Sequence, residues 1–140
     1  LDDRGFVAEG SGDNFFIIKN KKVITPKGVH ILRGISRDYV LETLCEQLNL
    51  EKEEKDIEPY DVYSADEAFM TGTPFCMLPV TSLNSIKIGN GKRGKNFNKL
   101  LSTWSQNVGV DIVKQIQGWD SESISSAGNT APTPYRFSSK

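Results

Sequence analysis

The stretch Phe15-Phe16-Ile17-Ile18-Lys19, followed by Asn20-Lys21 and then Lys22-Val23-Ile24-Thr25, decides the fold class of this chain. Both outer runs are short, apolar and rich in residues that favour β-strands, and two polar residues are enough for a tight connection between them. Pro26 ends the second run because proline has no backbone N–H to give to a sheet. The sequence therefore predicts an antiparallel β-hairpin.

Two longer segments repeat apolar residues on one helical face, which predicts helices over residues 36–48 and 96–107. Ser36 is the predicted N-cap of the first helix, and Asp38 lies in its first turn, where an acidic side chain is favoured. The predicted apolar faces consist of Val40, Leu41, Leu44 and Leu48 in the first helix and Phe97, Leu100, Leu101 and Trp104 in the second.

Further strands are predicted in the middle of the chain. Residues 67–71 and 75–80 flank the turn Gly72-Thr73-Pro74, and residues 56–58 form a shorter strand candidate that Pro59 ends. The charged run Glu51–Lys55 predicts a solvated connection. Strands interleaved with helices make the predicted fold class mixed, α+β.

Composition excludes several classes of protein. A chain of 140 residues has the length of one domain, and 37% hydrophobic with 25% charged residues is typical of a globular chain. Lysine and arginine number 17 against 18 acidic residues, so no basic footprint for nucleic acid is present. No apolar run approaches the length of a membrane span.

The cysteines and the histidine do not predict a metal site. Cys45 and Cys76 lie in apolar surroundings without the spacing of metal ligands, so two buried, reduced thiols are expected. His30 is the only histidine, and a structural role is predicted for it.

Three segments place small, turn-forming residues beside a carboxylate or a hydroxyl. Gly34-Ile35-Ser36 opens a helix, whose N–H groups and dipole favour a phosphate. Thr71-Gly72-Thr73 can form an anion-binding turn between two strands. Glu9 stands among small residues, and if it is buried a cationic heterocycle would keep it ionised. Taken singly, the first segment is better explained as an ordinary helix cap and the second as a β-turn with satisfied hydroxyls. An exposed glutamate at a strand end explains the third at least as well as a buried one.

The three segments belong to a longer series along the chain: Val7–Phe16, Thr25-Pro26, Ile31–Asp38, Ala65–Thr73, Pro79-Val80 and Ile88–Gly91. Together, these segments closely resemble the class IV pyridoxal-phosphate aminotransferases, and among them the branched-chain amino acid aminotransferases. The similarity covers residues 1–119 and implies the C-terminal, cofactor-binding part of that family's larger domain, incomplete on its N-terminal side. It implies a curved, mostly antiparallel sheet (a pseudo-barrel) with outer helices. Residues 120–140, rich in serine and proline, are predicted to be a mobile tail.

The resemblance implies a role for each matching residue in binding pyridoxal 5'-phosphate. Glu9 would pair with the protonated pyridine nitrogen, and Leu32 would pack against the ring face. The phosphate would lie at Gly34, Ile35 and Ser36, with Gly72 and Thr73 on its other side. The turn after Thr73 would help bind the substrate carboxylate, but Pro74 stands there and has no N–H.

The resemblance also implies a Schiff-base lysine a few tens of residues before the glutamate, a position that would precede Leu1. Lys19, Lys21 and Lys22 follow Glu9 and do not match it. No catalytic residue is therefore assigned in this chain, which is expected to be inactive alone.

The implied activity is amino-group transfer between a branched-chain amino acid and 2-oxoglutarate, as in branched-chain amino acid biosynthesis. Two alternatives in the same family are an aminodeoxychorismate lyase and a D-amino acid aminotransferase. A third is a non-catalytic phosphate-binding remnant. The expected partners are amino acid and 2-oxo acid substrates, with no nucleic acid and no membrane. The full-length protein is expected to be a homodimer in the cytoplasm or an organelle matrix.

Overall fold

The predicted hairpin forms the centre of a five-stranded sheet. In the computed structural model, which describes residues 1–118, β1 (Asn14–Lys19) pairs antiparallel with β2 (Lys22–Thr25), and Ile18 lies opposite Val23. Asn20 and Lys21 have φ angles of 51° and 65°. Two-residue hairpin turns need this left-handed conformation to match the twist of their strands. The hairpin prediction is confirmed.

The remaining elements follow in chain order. They are α1 (Ile35–Tyr39), a π-helical segment (Val40–Leu44), α2 (Cys45–Gln47), β3 (Glu51–Glu54), α3 (Pro59–Tyr63), β4 (Glu67–Gly72), β5 (Cys76–Val80), β6 (Ser82–Leu83), β7 (Ile86–Lys87), α4 (Lys95–Val108), and a helical stretch over residues 112–118. The stretch from α1 to α2 is continuous, so both predicted helices are confirmed. Among residues 1–118, no helix is both long and apolar enough to cross a membrane.

The large sheet has the strand order β3-β2-β1-β4-β5 and is antiparallel except where β3 pairs with β2. The small strands β6 and β7 form a separate two-stranded sheet. A mixed fold with a mostly antiparallel sheet is therefore confirmed. The implied pseudo-barrel is not closed within the described residues, because β3 and β5 remain as the two edges of an open sheet.

The prediction that Glu51–Lys55 is a solvated connection is wrong. Residues Glu51–Glu54 form strand β3, although all four residues are exposed. An edge strand is held by backbone hydrogen bonds on one side and does not need apolar side chains, and charges on such an edge discourage unwanted pairing. Lys22 adds two ion pairs across the strands, with its Nζ 3.4 Å from a carboxylate oxygen of Glu51 and of Glu53.

Both faces of the sheet are covered, which explains why the four central residues of β1, Phe15 to Ile18, are all apolar. Phe16 and Ile18 point into a cluster formed with the helices, whereas Phe15 and Ile17 point into a second cluster on the opposite face. The ring of Phe16 stacks on that of Phe69 in β4, with centroids 4.6 Å apart. The predicted apolar face of α4 is buried in the first cluster.

Several smaller expectations need correction. The N-cap of α1 is Gly34 and not Ser36, because Ile35 is already helical and Ser36 lies one residue beyond it. Of residues 56–58 only Ile57 pairs, in an isolated bridge with Val7. His30 is exposed, and the structural role expected for it stays a prediction. The predicted boundary after residue 119 and the tail lie outside the described residues.

The two thiols differ in environment. Cys45 is buried as predicted, and burial raises its thiol pKa to about 11. Cys76 is half-buried, which corrects the expectation of a second buried thiol, and desolvation raises its pKa as well. Both shifts disfavour the thiolate, so neither cysteine has the environment of an activated nucleophile.

Candidate functional site

The Glu9 carboxylate is half-buried and held by two N–H donors. Its Oε2 accepts a hydrogen bond from the backbone N–H of Leu32 (3.0 Å) and another from Nδ2 of Asn14 (3.1 Å). Its other oxygen, Oε1, makes no hydrogen bond to any residue within 1–118. One carboxylate oxygen is therefore fixed in place by the protein, and the other is available to a ligand.

Asn14 connects this carboxylate to the segment before α1. The residue is 5% exposed at the start of β1, and its Nδ2 also donates to the carbonyl of Leu32 (2.8 Å). A Cβ placed on Gly34 would overlap Oδ1 of Asn14. The absence of a side chain at position 34 thus lets the loop lie directly on Asn14.

Two apolar side chains, at the residue bound by Glu9 and at the first residue of α1, are exposed. Leu32 is 76% exposed and Ile35 is 91% exposed, although both belong to residue types that are usually buried. The main chain of Leu32 is meanwhile held by Glu9 and Asn14. The result is an apolar surface next to a carboxylate oxygen, which suits a flat ring that carries a protonated nitrogen at its edge.

The start of α1 offers backbone N–H donors. No side chain caps Gly34, and the hydrogen bond from Asp38 N–H to the Gly34 carbonyl (3.0 Å) closes the first helical turn. The leading N–H groups of a helix have no partner within the helix and favour an anion. Ser36 adds a hydroxyl in the same turn. The helix continues for thirteen residues through α2, from Ile35 to Gln47.

The β4–β5 turn approaches from the neighbouring strand. Thr71 lies opposite Asn14 in the β1–β4 register, and α1 packs against β4. The hydroxyl Oγ1 of Thr71 is buried and has no hydrogen-bond partner within the described part of the chain. A Cβ on Gly72 would lie 2.5 Å from Oδ1 of Asp13 and 2.9 Å from the Phe75 ring. A glycine at position 72 therefore allows the side chains of Asp13 and Phe75 to pack against the backbone of the turn.

Thr73 and Pro74 are exposed in the middle of this turn, which is closed by a hydrogen bond from Phe75 N–H to the Gly72 carbonyl (3.3 Å). Thr73 offers a hydroxyl and a backbone N–H to solvent on that side. Pro74 offers neither, because its nitrogen carries no hydrogen.

The structure thus joins the three segments through Asn14, to which sequence reasoning assigned no role. Glu9, Leu32 and Gly34 all contact it or the loop it holds, and the β4–β5 turn follows the strand residue opposite it. The sequence feature that could have pointed to Asn14 is a polar residue at the start of a run of apolar strand residues. Its partners lie 5 and 18 residues away, so spacing could not reveal them.

The lysines after Glu9 lie elsewhere. The Nζ of Lys19 donates to Ser64 Oγ (2.9 Å), and Lys22 forms the ion pairs with β3. Both are at the far end of β1, about 16 Å along the strand from Asn14 at the usual rise per residue. They are not placed to act at Glu9.

Comparison with known proteins identifies the family. Residues 1–83 match the family model of amino-transferase class IV, so the chain belongs to the class IV aminotransferases. It is 50% identical over 95 residues to the "Probable branched-chain-amino-acid aminotransferase" of Aquifex aeolicus. This aligned region covers 67% of the chain and 30% of that relative. Identity to the branched-chain-amino-acid aminotransferase of Pseudomonas aeruginosa is 45% over 100 residues, covering 71% and 32% of the two chains.

A solved structure agrees with this assignment. The T.th. branched-chain amino acid aminotransferase with pyridoxamine 5'-phosphate superposes with a TM-score of 0.74 and 32% identity, covering 85% of this chain and 39% of that one. The chain spans about a third of the length of the curated relatives it matches, at 30% and 32%. Its relatives are enzymes of amino-group transfer.

The described residues fit pyridoxal 5'-phosphate, the cofactor of this family. The free oxygen of Glu9 suits a pyridinium N–H, and the exposed Leu32 suits a ring face. The uncapped start of α1 suits a phosphate. The buried Thr71 hydroxyl that lacks a partner within residues 1–118 lies on the strand leading into the turn on the other side.

Proposed function

We propose that this chain is part of a pyridoxal-phosphate-dependent transaminase that moves an amino group between a branched-chain amino acid and 2-oxoglutarate. The observation that carries the proposal is the Glu9 carboxylate, with Oε2 bound by two N–H donors and Oε1 directed to no residue within 1–118. The printed names of the relatives support the branched-chain substrate.

In this proposal the chain forms one wall of the cofactor site. When bound, pyridoxal phosphate supplies an electron-accepting ring for proton transfer at the substrate α-carbon. Glu9 holds the proton on the ring nitrogen, and Leu32 covers one face of the ring. The phosphate is bound by the N–H groups at Ile35 and Ser36 after Gly34.

The β4–β5 turn completes the phosphate site and reaches toward the substrate. Gly72 keeps the turn close to the loop before β1, and the Thr73 hydroxyl binds the phosphate from the side opposite α1. The Thr73 N–H also binds the substrate carboxylate. Pro74 cannot add a second backbone donor there, so fewer N–H groups hold the carboxylate in this protein.

We further propose that the lysine that carries the cofactor lies outside residues 1–140, so this polypeptide alone is inactive. The positions of Lys19 and Lys22 support this, since both are engaged at the far end of β1. Amino-group transfer by residues 1–140 alone would contradict it. The complete protein is proposed to be a homodimer located in the cytoplasm or an organelle matrix, on the basis of the family resemblance.

The experiment that tests the function is borohydride reduction of the complete protein with pyridoxal phosphate, followed by peptide mapping of the pyridoxyl label. We expect one labelled lysine, outside residues 1–140. A label scattered over surface lysines, or none, would indicate a phosphate-binding remnant and overturn the transaminase.

A substrate panel then separates the remaining family activities. Rates with L-leucine, D-alanine and aminodeoxychorismate are compared on the same preparation. Turnover of leucine with 2-oxoglutarate is expected. Preference for D-alanine or aminodeoxychorismate would instead assign one of the other two activities.

A further inference from the structure

We propose that Asn14 is a positioning residue that fixes the Glu9 carboxylate to the Leu32–Gly34 loop, so that the contacts to the cofactor ring and to its phosphate form one rigid unit. The inference rests on the proposed function, and it assigns a task to a residue outside the set proposed to touch the cofactor.

The hydrogen bonds of Asn14 define its orientation. A side-chain amide has two N–H donors, and both are used here, by Glu9 Oε2 at 3.1 Å and by the Leu32 carbonyl at 2.8 Å. Both partners are acceptors only. A flipped amide would place Oδ1 against these two oxygens, so the partners dictate which atom faces them.

The three groups form a closed network. Glu9 Oε2 accepts from Asn14 Nδ2 and from Leu32 N–H, and the Leu32 carbonyl accepts from the same Nδ2. The backbone N–H and the carbonyl of Leu32 are therefore both hydrogen-bonded, while its side chain stays exposed. Any shift of the Glu9 carboxylate therefore shifts the residue that faces the ring.

Asn14 itself has little freedom to move. It is 5% exposed, pairs in register with Thr71, and carries the bridge between Glu9 and the start of β1. Its Oδ1 lies against Gly34, the N-cap of the helix that offers N–H groups to the phosphate. The same side chain thus contacts the residues flanking both ends of the cofactor site.

A purely structural asparagine and a positioning asparagine predict different results. If Asn14 only stabilises the fold, its loss weakens every ligand of the site by the same factor. If it also positions Glu9, its loss weakens ligands that carry a ring nitrogen for Glu9 to hold more than ligands that lack one.

The test measures dissociation constants of the complete apo-protein for pyridoxamine 5'-phosphate and for its 1-deaza analogue, in which a CH replaces the ring nitrogen. Wild type is expected to prefer the nitrogen ring. In N14A this preference should fall by about tenfold or more, the value of a hydrogen bond to a charged group, because binding of the deaza analogue falls by a smaller factor.

The matched control is T25V. Thr25 is a buried residue of β2, and its hydroxyl donates to the carbonyl of Phe15 at 2.8 Å. Phe15 follows Asn14 in β1, and neither of the two hydrogen bonds to Glu9 comes from Thr25. T25V loses a buried hydrogen bond to β1 and should leave the ratio of the two constants unchanged. If N14A does not fold, N14L keeps a similar side-chain volume and removes both donors without adding a charge, and the same loss of preference is expected.

Each outcome is decisive. Equal weakening of both ligands by N14A or N14L, or no change in either, overturns the positioning role while leaving the transaminase intact. Wild type that binds neither ligand overturns the proposed function and the inference with it. Wild type that binds both equally overturns the Glu9 contact and hence the role of Asn14.

Discussion

The side chain of Arg37 is 2% exposed, and its Nη2 donates to Glu54 Oε2 at 2.5 Å, which ties the first turns of α1 to the edge strand β3. The same Nη2 donates to the Pro26 carbonyl at 3.3 Å, and Nη1 donates to Asp38. Its Nε has no hydrogen-bond partner within residues 1–118. A buried cation therefore holds the helix whose start faces the proposed phosphate.

The pair predicts that E54Q destabilises the protein. Neutralising Glu54 leaves the buried guanidinium with a weaker acceptor, so the free energy of unfolding should fall by about 1–2 kcal/mol. Urea unfolding measures it. The neighbouring E53Q removes only a surface contact with Lys22 and should leave stability nearly unchanged. Equal losses in both variants would show that Arg37 does not depend on Glu54.

E9Q is expected to impair catalysis without impairing the fold. The glutamine carbonyl can still accept from Leu32 and Asn14, but its NH2 group replaces the free Oε1 and cannot hold a proton on the ring nitrogen. The kcat of the complete protein should fall on the order of 10²-fold. Thermal unfolding of the apo-protein within a few degrees of wild type is the accompanying control, and an unchanged kcat would remove Glu9 from the mechanism.

G34A should destabilise the protein, whereas G12A should leave its stability nearly unchanged. A methyl group at position 34 overlaps Asn14 Oδ1, whereas position 12 has nothing within 4 Å of an added Cβ. We expect G34A to lower the free energy of unfolding by about 1–3 kcal/mol, as overpacking does. G12A should stay within about 0.5 kcal/mol of wild type. Calorimetry of both variants gives the comparison, and equal stabilities would mean that the loop yields without cost.

P74A should strengthen binding of the 2-oxo acid. The substitution adds a backbone N–H at the exposed centre of the β4–β5 turn, and a hydrogen bond to a carboxylate is worth about 1.5–3 kcal/mol. Because the new donor is exposed, only part of this is expected, as a KM for 2-oxoglutarate that falls about threefold to tenfold. The dissociation constant for pyridoxamine 5'-phosphate is the control and should not change. A KM that does not fall would place the carboxylate away from this turn.

Cys45 predicts a loss of stability in alkali. Burial raises its folded-state pKa to about 11 from an ordinary value of 9.0, so the unfolded thiol gives up its proton first. Stabilisation is complete below pH 9.0 and is lost as pH rises toward about 11. Unfolding free energies between pH 8 and 11 measure the slope. The variant C45A, which has no thiol at this position, should show a smaller slope, and equal slopes would assign the effect to other groups.

Much of the fold could be predicted from local patterns, because the hairpin around Asn20-Lys21 and the apolar face of α4 depend on residues close in sequence. Strand β3 could not, since backbone pairing with β2 needs no apolar side chain. The prediction of Ser36 as the N-cap of α1 is also wrong. The loop before α1 is held by hydrogen bonds from Asn14 and to Glu9, which are distant in sequence, and not by a capping side chain. The role of Asn14 depends on contacts across the fold.

The one parallel pairing in the sheet has a consequence for the origin of the site. Two antiparallel neighbours can be joined by a tight turn, but parallel neighbours such as β2 and β3 need a crossover that carries the chain back to the starting side. Here that crossover is the helix beginning after Gly34. A purely antiparallel meander would have no helix beginning beside Glu9. The place where this helix begins, which is the proposed phosphate site, thus follows from the strand order of the sheet.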